Sequence, residues 1–123
     1  MLLSYAQGGQ SLRMLLTGDA ELDQEREFVQ EVGDIDVLKL GHHGSKVSVD
    51  TDLLGMLKPE FSIASAGEGN RYGHPSERVT KTLEDAGAEV YRSDLCGAVR
   101  ITIRKGTLHL WQKLKMSDQS ECT

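Results

Sequence analysis

Three short polar clusters hold most of the side chains capable of metal or acid–base chemistry: Thr17-Gly18-Asp19, Gly41-His42-His43-Gly44-Ser45 and Asn70-Arg71-Tyr72-Gly73-His74. Three of the four histidines fall inside them. Asp19 offers a carboxylate able to bridge two divalent ions, one oxygen to each. Asp is also a favoured helix cap, and taken alone that is the commoner use of such a residue. His42 and His43 are adjacent, so their rings point apart and one metal rarely takes both. That leaves one as a ligand and the other to orient a substrate or donate a proton, unless the pair is a surface accident. Gly41 and Gly44 allow close backbone approach on either side. His74 stands at the start of an expected helix, where free amides attract anions such as phosphate and disfavour an imidazolium. A neutral His74 there hydrogen-bonds a substrate or a metal-bound water; the plainer alternative is a capping histidine held by Tyr72. His109 has no partner nearby in the sequence and reads as structural.

The elements that must position these clusters follow from periodicity. Ser11–Leu16 alternates Leu12, Met14 and Leu16 against polar residues, a half-buried strand that stops at Thr17. Residues Ala20–Val32 read as a helix, acidic at its start, with Leu22, Val29 and Val32 on one side and Gly33 ending it. Ile35–Leu40 is a second strand running into the histidine cluster. A short helix is expected from Asp52 to Leu57, closed by Pro59, and a third strand from Phe61 to Ser65. Pro75 suits the first position of a helix whose face is Val79, Leu83 and Ala86 and whose stop is Gly87. Glu89–Arg92, Ala98–Arg104 and Thr107–Trp111 read as strands, the last two joined at Lys105-Gly106. This layered α/β pattern ends in successive strands, which suggests a mixed sheet. Each polar cluster directly follows a strand; if those strands run alike, all three meet on one sheet edge, where α/β folds bind ligands.

The chain has 123 residues, enough for one ordinary domain. Its hydrophobic fraction of 38% and few aromatics predict an α/β unit that is better covered by something it packs against. The formal charge of −5 and scattered basic residues exclude the basic stripe of a free-standing nucleic-acid binder. The nearest candidates, Arg71 with Arg78 and Arg100 with Arg104 and Lys105, are offset by acids. Cys96 and Cys122 are too few for a disulfide framework or a cysteine zinc site. No apolar run is long enough to span a membrane, and no signal-peptide pattern is present. Met1-Leu2-Leu3-Ser4-Tyr5 reads like a strand entered in mid-domain.

Leu15-Leu16-Thr17-Gly18-Asp19, Asp36 through Ser45, Asn70 through Pro75, and Tyr91-Arg92-Ser93-Asp94 with Gly97-Ala98-Val99 occur in that order. Together they resemble the second half of the metallo-β-lactamase-like domain of ComEC-type DNA-internalisation competence proteins, over roughly residues 10 to 104. The resemblance implies half of an αββα sandwich, a mixed sheet with flanking helices. Residues 1–114 would form the partial domain and 115–123 a disordered tail. It also implies two divalent metal ions, zinc or manganese, in the intact domain, bridged by Asp19 with His43 as the last ligand. His42 would face the substrate phosphate and, with His74, serve the chemistry, while Ser45, Asn70 and Tyr72 would bind the substrate, the Asn70–His74 loop lying near the site. In the intact domain the metals would generate hydroxide and degrade the non-transported strand of DNA during uptake. The parent protein would sit in the bacterial cell membrane with this domain outside the cytoplasm, and this chain would be a soluble fragment.

One departure is large. The family's H-x-H-x-D-H ligand run is absent, as is a further histidine between that run and the bridging aspartate. Zinc takes three or four protein ligands, so Asp19 and His43 alone should bind metal weakly. Either the missing first half of the domain or a second copy of the chain would complete the site. The alternative is a non-catalytic half-domain acting by structure or self-association. A different phosphodiesterase or lactonase of the same superfamily is disfavoured by Gly44-Ser45 and the Asn70–Pro75 loop.

Overall fold

Alternating apolar residues and glycine-rich turns set the first strands. The computed structural model describes residues 1–20 and 22–113. Strand β1 (Leu2–Gln7) pairs antiparallel with β2 (Gln10–Leu16). Gly8 and Gly9 join them at φ 59° and 80°, the left-handed values that a two-residue hairpin turn demands. Helix α1 (Leu22–Val32) leads to β3 (Val37–Lys39), helix α2 (Thr51–Leu57) to β4 (Phe61–Ala64), and helix α3 (Glu77–Asp85) to β5 (Glu89–Arg92). Strands β2 to β5 are parallel, so the sheet has the order β1-β2-β3-β4-β5 with an antiparallel edge. After the short helix α4 (Ser93–Cys96), β6 (Val99–Arg104) and β7 (Thr107–Gln112) form a separate antiparallel hairpin.

Successive strand residues point to opposite faces, and both faces of the sheet are covered. On one, Leu15, Leu38, Leu40 and Ala64 pack with Val29, Leu53, Leu57, Val79 and Leu83 of the three helices. On the other, Leu12, Val37 and Ile63 meet Val99, Ile101, Ile103 and Leu108 of the hairpin. Each fully buried Leu or Val contributes about 1.5–3 kcal/mol, so the helical face carries most of the stability. The result is helices, sheet and hairpin in three layers. The expected α/β architecture with a mixed sheet and flanking helices is present. The mixing comes from β1, however, while the last two strands leave the sheet to cover it.

Caps explain the helix ends. The Asp50 carboxylate accepts from the Leu53 amide at 2.8 Å to start α2, and Lys58 closes it in the left-handed region at φ 45°. Ser76 starts α3 by accepting from the Val79 amide at 3.3 Å. Pro75 was the expected first helical residue. Instead it follows a cis peptide and precedes the cap, because the Ser76 hydroxyl competes better for the free amides. Ala86, expected on the buried face, is the exposed C-cap. The second strand is shorter than the apolar run, but Ile35 and Leu40 on either side of it are buried all the same. Helix α4 was not anticipated. The tail expected beyond 114 lies outside the described residues.

Candidate functional site

Because β2, β3 and β4 run parallel, the three polar clusters leave the sheet at the same edge. Close backbone contacts lock them together. The His42 amide donates to the Gly18 carbonyl at 3.0 Å, and the Ser76 amide to the Gly44 carbonyl at 2.8 Å. A Cβ at Gly41 would lie 3.0 Å from Thr17 Oγ1 and 3.1 Å from the Ala20 carbonyl oxygen. One at Gly44, where φ is +83°, would lie 2.6 Å from Pro75 Cβ. The flanking glycines are thus required by their neighbours, the aspartate turn on one side and the His74-Pro75 segment on the other.

Between those glycines the chain makes a 3-10 turn (Gly41–Gly44) in which both histidines are left-handed, His42 at φ 44° and His43 at φ 57°. The two rings meet different surroundings. His43 is exposed, and its Nδ1 sits 2.7 Å from the Ser65 carbonyl oxygen, just past β4. A carbonyl only accepts, so Nδ1 carries a proton, and in the neutral ring Nε2 is the nitrogen with the lone pair. This is how metal-binding imidazoles are oriented. His42 is half-buried, and its Nε2 has no hydrogen-bond partner. Ser45 Oγ is likewise buried and unpartnered.

A cavity of about 200 Å³ opens beside His43, lined by Ala66, Gly67, Asn70, Tyr72 and His74. Asn70 frames it: Nδ2 donates to the Gly67 and His74 carbonyls at 2.9 and 2.6 Å, and Oδ1 accepts from the His74 amide at 2.9 Å. Both amide protons are committed to bracing the loop. Tyr72 is 66% exposed and stacks on the His74 ring, centroids 5.8 Å apart, with the Arg71 guanidinium 5.0 Å over the Tyr72 ring. Asp19, His42 and Ser45 do not line this cavity. The structure therefore divides the expected residues into two groups that meet at the Gly41–Gly44 turn.

Asp19 is exposed on the turn after β2. Its charge acts on Lys39, a residue the sequence reading passed over. Burial pushes the Lys39 ammonium below its usual range, and Asp19 partly offsets this. Lys39 Nζ donates to the Leu40 carbonyl at 2.8 Å. A lysine inside the apolar run Val37–Leu40 was the available signal. Glu25 was also passed over. It is fully buried in α1, with both oxygens unpartnered and its pKa raised to about 7, chiefly by burial. The Thr17 hydroxyl beside it lowers that pKa and the Asp50 charge raises it.

Among the described residues, no three His, Cys, Asp or Glu side chains are placed to hold one metal ion. The described residues on their own do not fit a closed zinc site. His109 lies exposed on β7, opposite Thr102. A larger cavity of about 360 Å³ lies between the sheet and the hairpin at the opposite strand ends. Asp36 faces it, with its carboxylate accepting from the Arg13 amide at 2.7 Å.

Over 118 residues the chain is 39% identical to ComE operon protein 3 of Bacillus subtilis (strain 168), covering 93% of this chain and 15% of that protein. It is 36% identical to competence protein ComA of Neisseria gonorrhoeae over 107 residues, 85% of this chain and 15% of the relative. The chain is homologous to a small part of these competence proteins. It is also 37% identical to recombination protein 2 of Haemophilus influenzae over 99 residues, 80% of this chain and 13% of that protein. No protein-family model matches the chain. No helix among the described residues is long and apolar enough to cross a membrane.

Proposed function

We propose that the chain is part of a metal-dependent phosphodiester hydrolase that acts on DNA during uptake, and forms the second half of its metallo-β-lactamase-like domain. One observation supports the reading most. Three polar clusters meet at the carboxyl ends of parallel strands, and the exposed histidine there has its Nδ1 proton fixed by the Ser65 carbonyl. In this reading Asp19 and His43 are ligands to a pair of zinc or manganese ions, and the remaining ligands come from outside this chain. His42 and His74 face the substrate phosphate, with Ser45 and Tyr72 beside it and Asn70 shaping the loop. The parent protein is a bacterial membrane protein that carries this domain outside the cytoplasm and degrades the strand that is not transported.

Metal content by mass spectrometry tests the ligand assignment. The chain and its Asp19→Asn and His43→Asn variants are dialysed against dilute zinc and manganese, alone and joined to the polypeptide that precedes it in the parent protein. Near-stoichiometric metal in the longer form, lost in both variants, supports the reading. A longer form that binds no metal, or binds it equally in the variants, overturns it.

A second reading, a self-associating half-domain without catalysis, is favoured by β1. Every residue of that edge strand is exposed, including Leu2, Leu3 and Tyr5. A concentration-dependent dimer in sedimentation that dissociates on Leu3→Lys would support it.

A further inference from the structure

Side chains alternate along the hairpin, and Val99, Ile101, Ile103 and Leu108 turn toward the sheet. The opposite face carries Arg100, Thr102 and Arg104 from β6 and Thr107, His109 and Trp111 from β7. Arg100, Arg104, His109 and Trp111 are exposed. Lys105 follows at the turn, and no Asp or Glu occurs between Gly97 and Lys113. The ion pairs among the described residues, Arg26–Asp50, Lys81–Asp85 and Arg92–Asp94, leave out Arg100, Arg104 and Lys105. Counted along the whole chain these cations are outweighed by acids. Folding turns the intervening aliphatic residues inward and leaves the two arginines on one acid-free face, about 13 Å apart at the rise of a strand.

The Arg100 guanidinium carbon lies 5.1 Å from the centroid of the Trp111 ring, and Trp111 is 51% exposed. Stacking occupies the flat side of a guanidinium and leaves its in-plane N–H donors for an anion. Cations that track a phosphate backbone beside an aromatic ring are what an unpaired polynucleotide needs, because every base has a face to stack. In a duplex those faces are already stacked. A bilayer surface fits less well: interfacial binding calls for aliphatic side chains on the outer face, and here they point inward. The Trp111 end also lies at the sheet edge where the polar clusters gather. Gln112 Nε2 donates to the Arg92 carbonyl at 2.6 Å, and the Ala66 amide donates to Ser93 Oγ at 2.9 Å beside the His43 cavity. We propose that the outer face of the hairpin binds one unpaired polynucleotide strand, Arg100 and Arg104 holding phosphates and Trp111 stacking on a base. That the strand is DNA bound for the site rests on the function proposed above; the affinity for an unpaired strand does not.

Trp111 is the single tryptophan of the 123-residue chain, so its fluorescence reports on this face alone. The chain is titrated in EDTA and low salt with an oligothymidylate, with a duplex of equal length and with phosphatidylglycerol vesicles. Saturable quenching by the oligothymidylate, weaker with the duplex and the vesicles, is the expected result. Anisotropy of a labelled oligothymidylate then follows the variants, all of them changes to exposed side chains. Arg100→Gln with Arg104→Gln should lower the slope of log affinity against log salt by about 1.4, at about 0.7 per phosphate contact on a single strand. Trp111→Leu should weaken binding by roughly tenfold, the loss of one stacked base, and Trp111→Phe should keep most of it. Arg78→Gln with Lys81→Gln removes the same charge from α3, on the other face of the sheet, and should leave binding unchanged. Equal loss in both charge pairs would mean unspecific attraction and overturn the proposal. So would no binding, binding indifferent to Trp111, or a preference for the duplex or the vesicles. Work in EDTA separates the two readings. A chain that binds the strand, and whose longer form never takes metal, loses the hydrolase and keeps this face; one that takes metal and ignores the strand does the reverse.

Discussion

At the scale of single residues, charge and conformation are both held against their ordinary preferences. Glu25 has a folded pKa of about 7 against an ordinary 4.5. The stability that goes with its neutral form is complete below 4.5 and is lost as pH rises through about 7. At 1.36 kcal/mol per unit, that rise of about 2.5 units corresponds to about 3 kcal/mol. Urea denaturation at pH 5 and pH 8 should therefore show a weaker fold at pH 8, and Glu25→Gln should flatten the difference. Gly44→Ala should cost about 3 kcal/mol, since it combines a left-handed backbone with a Cβ 2.6 Å from Pro75 Cβ. Its urea midpoint at neutral pH reports this. Glu25 was legible in principle: residues 22, 25, 29 and 32 lie on one helical stripe, so the acid occupies a core position. Treating charge as a mark of the outside face hid it.

At the scale of elements, the link between strand ends and chemistry was legible because each polar cluster interrupts an apolar run. Asp50 is the element-scale residue to test. Burial opposes its ionisation, but the Leu53 amide and the Arg26 guanidinium outweigh this and hold it below the usual carboxylate range. Asp50→Ala should cost about 1–2 kcal/mol through the lost cap and loosen the connection from His43 to α2. Thermal melting with amide exchange at Leu53 would show both. Pro75 was misplaced because two local rules competed, proline at the first helical position and serine at the cap, and a single sequence does not weigh them. Helix α4 is only four residues long and carries no period to read. The cavity beside His43 was not legible at all, because the Ser65 carbonyl and the bracing bonds of Asn70 are backbone and loop geometry.

At the scale of the molecule, the hairpin is what lets a single sheet stand. Ile101 packs on Leu12, Val37 and Ile63, so Ile101→Ala should destabilise by about 2 kcal/mol, read by urea denaturation. The sequence reading found the two strands and their turn but assigned them to the main sheet, since strand pairing between distant segments leaves no local trace. The left-handed histidines bear on any mutational survey of this molecule. An alanine at 42 or 43 removes an imidazole and also loads a backbone shape that alanine resists, so two effects are recorded as one. Asparagine accepts that shape while lacking the ring. Scanning with asparagine separates what the histidines do from what the turn costs, and a functional map made with alanine would overstate both positions.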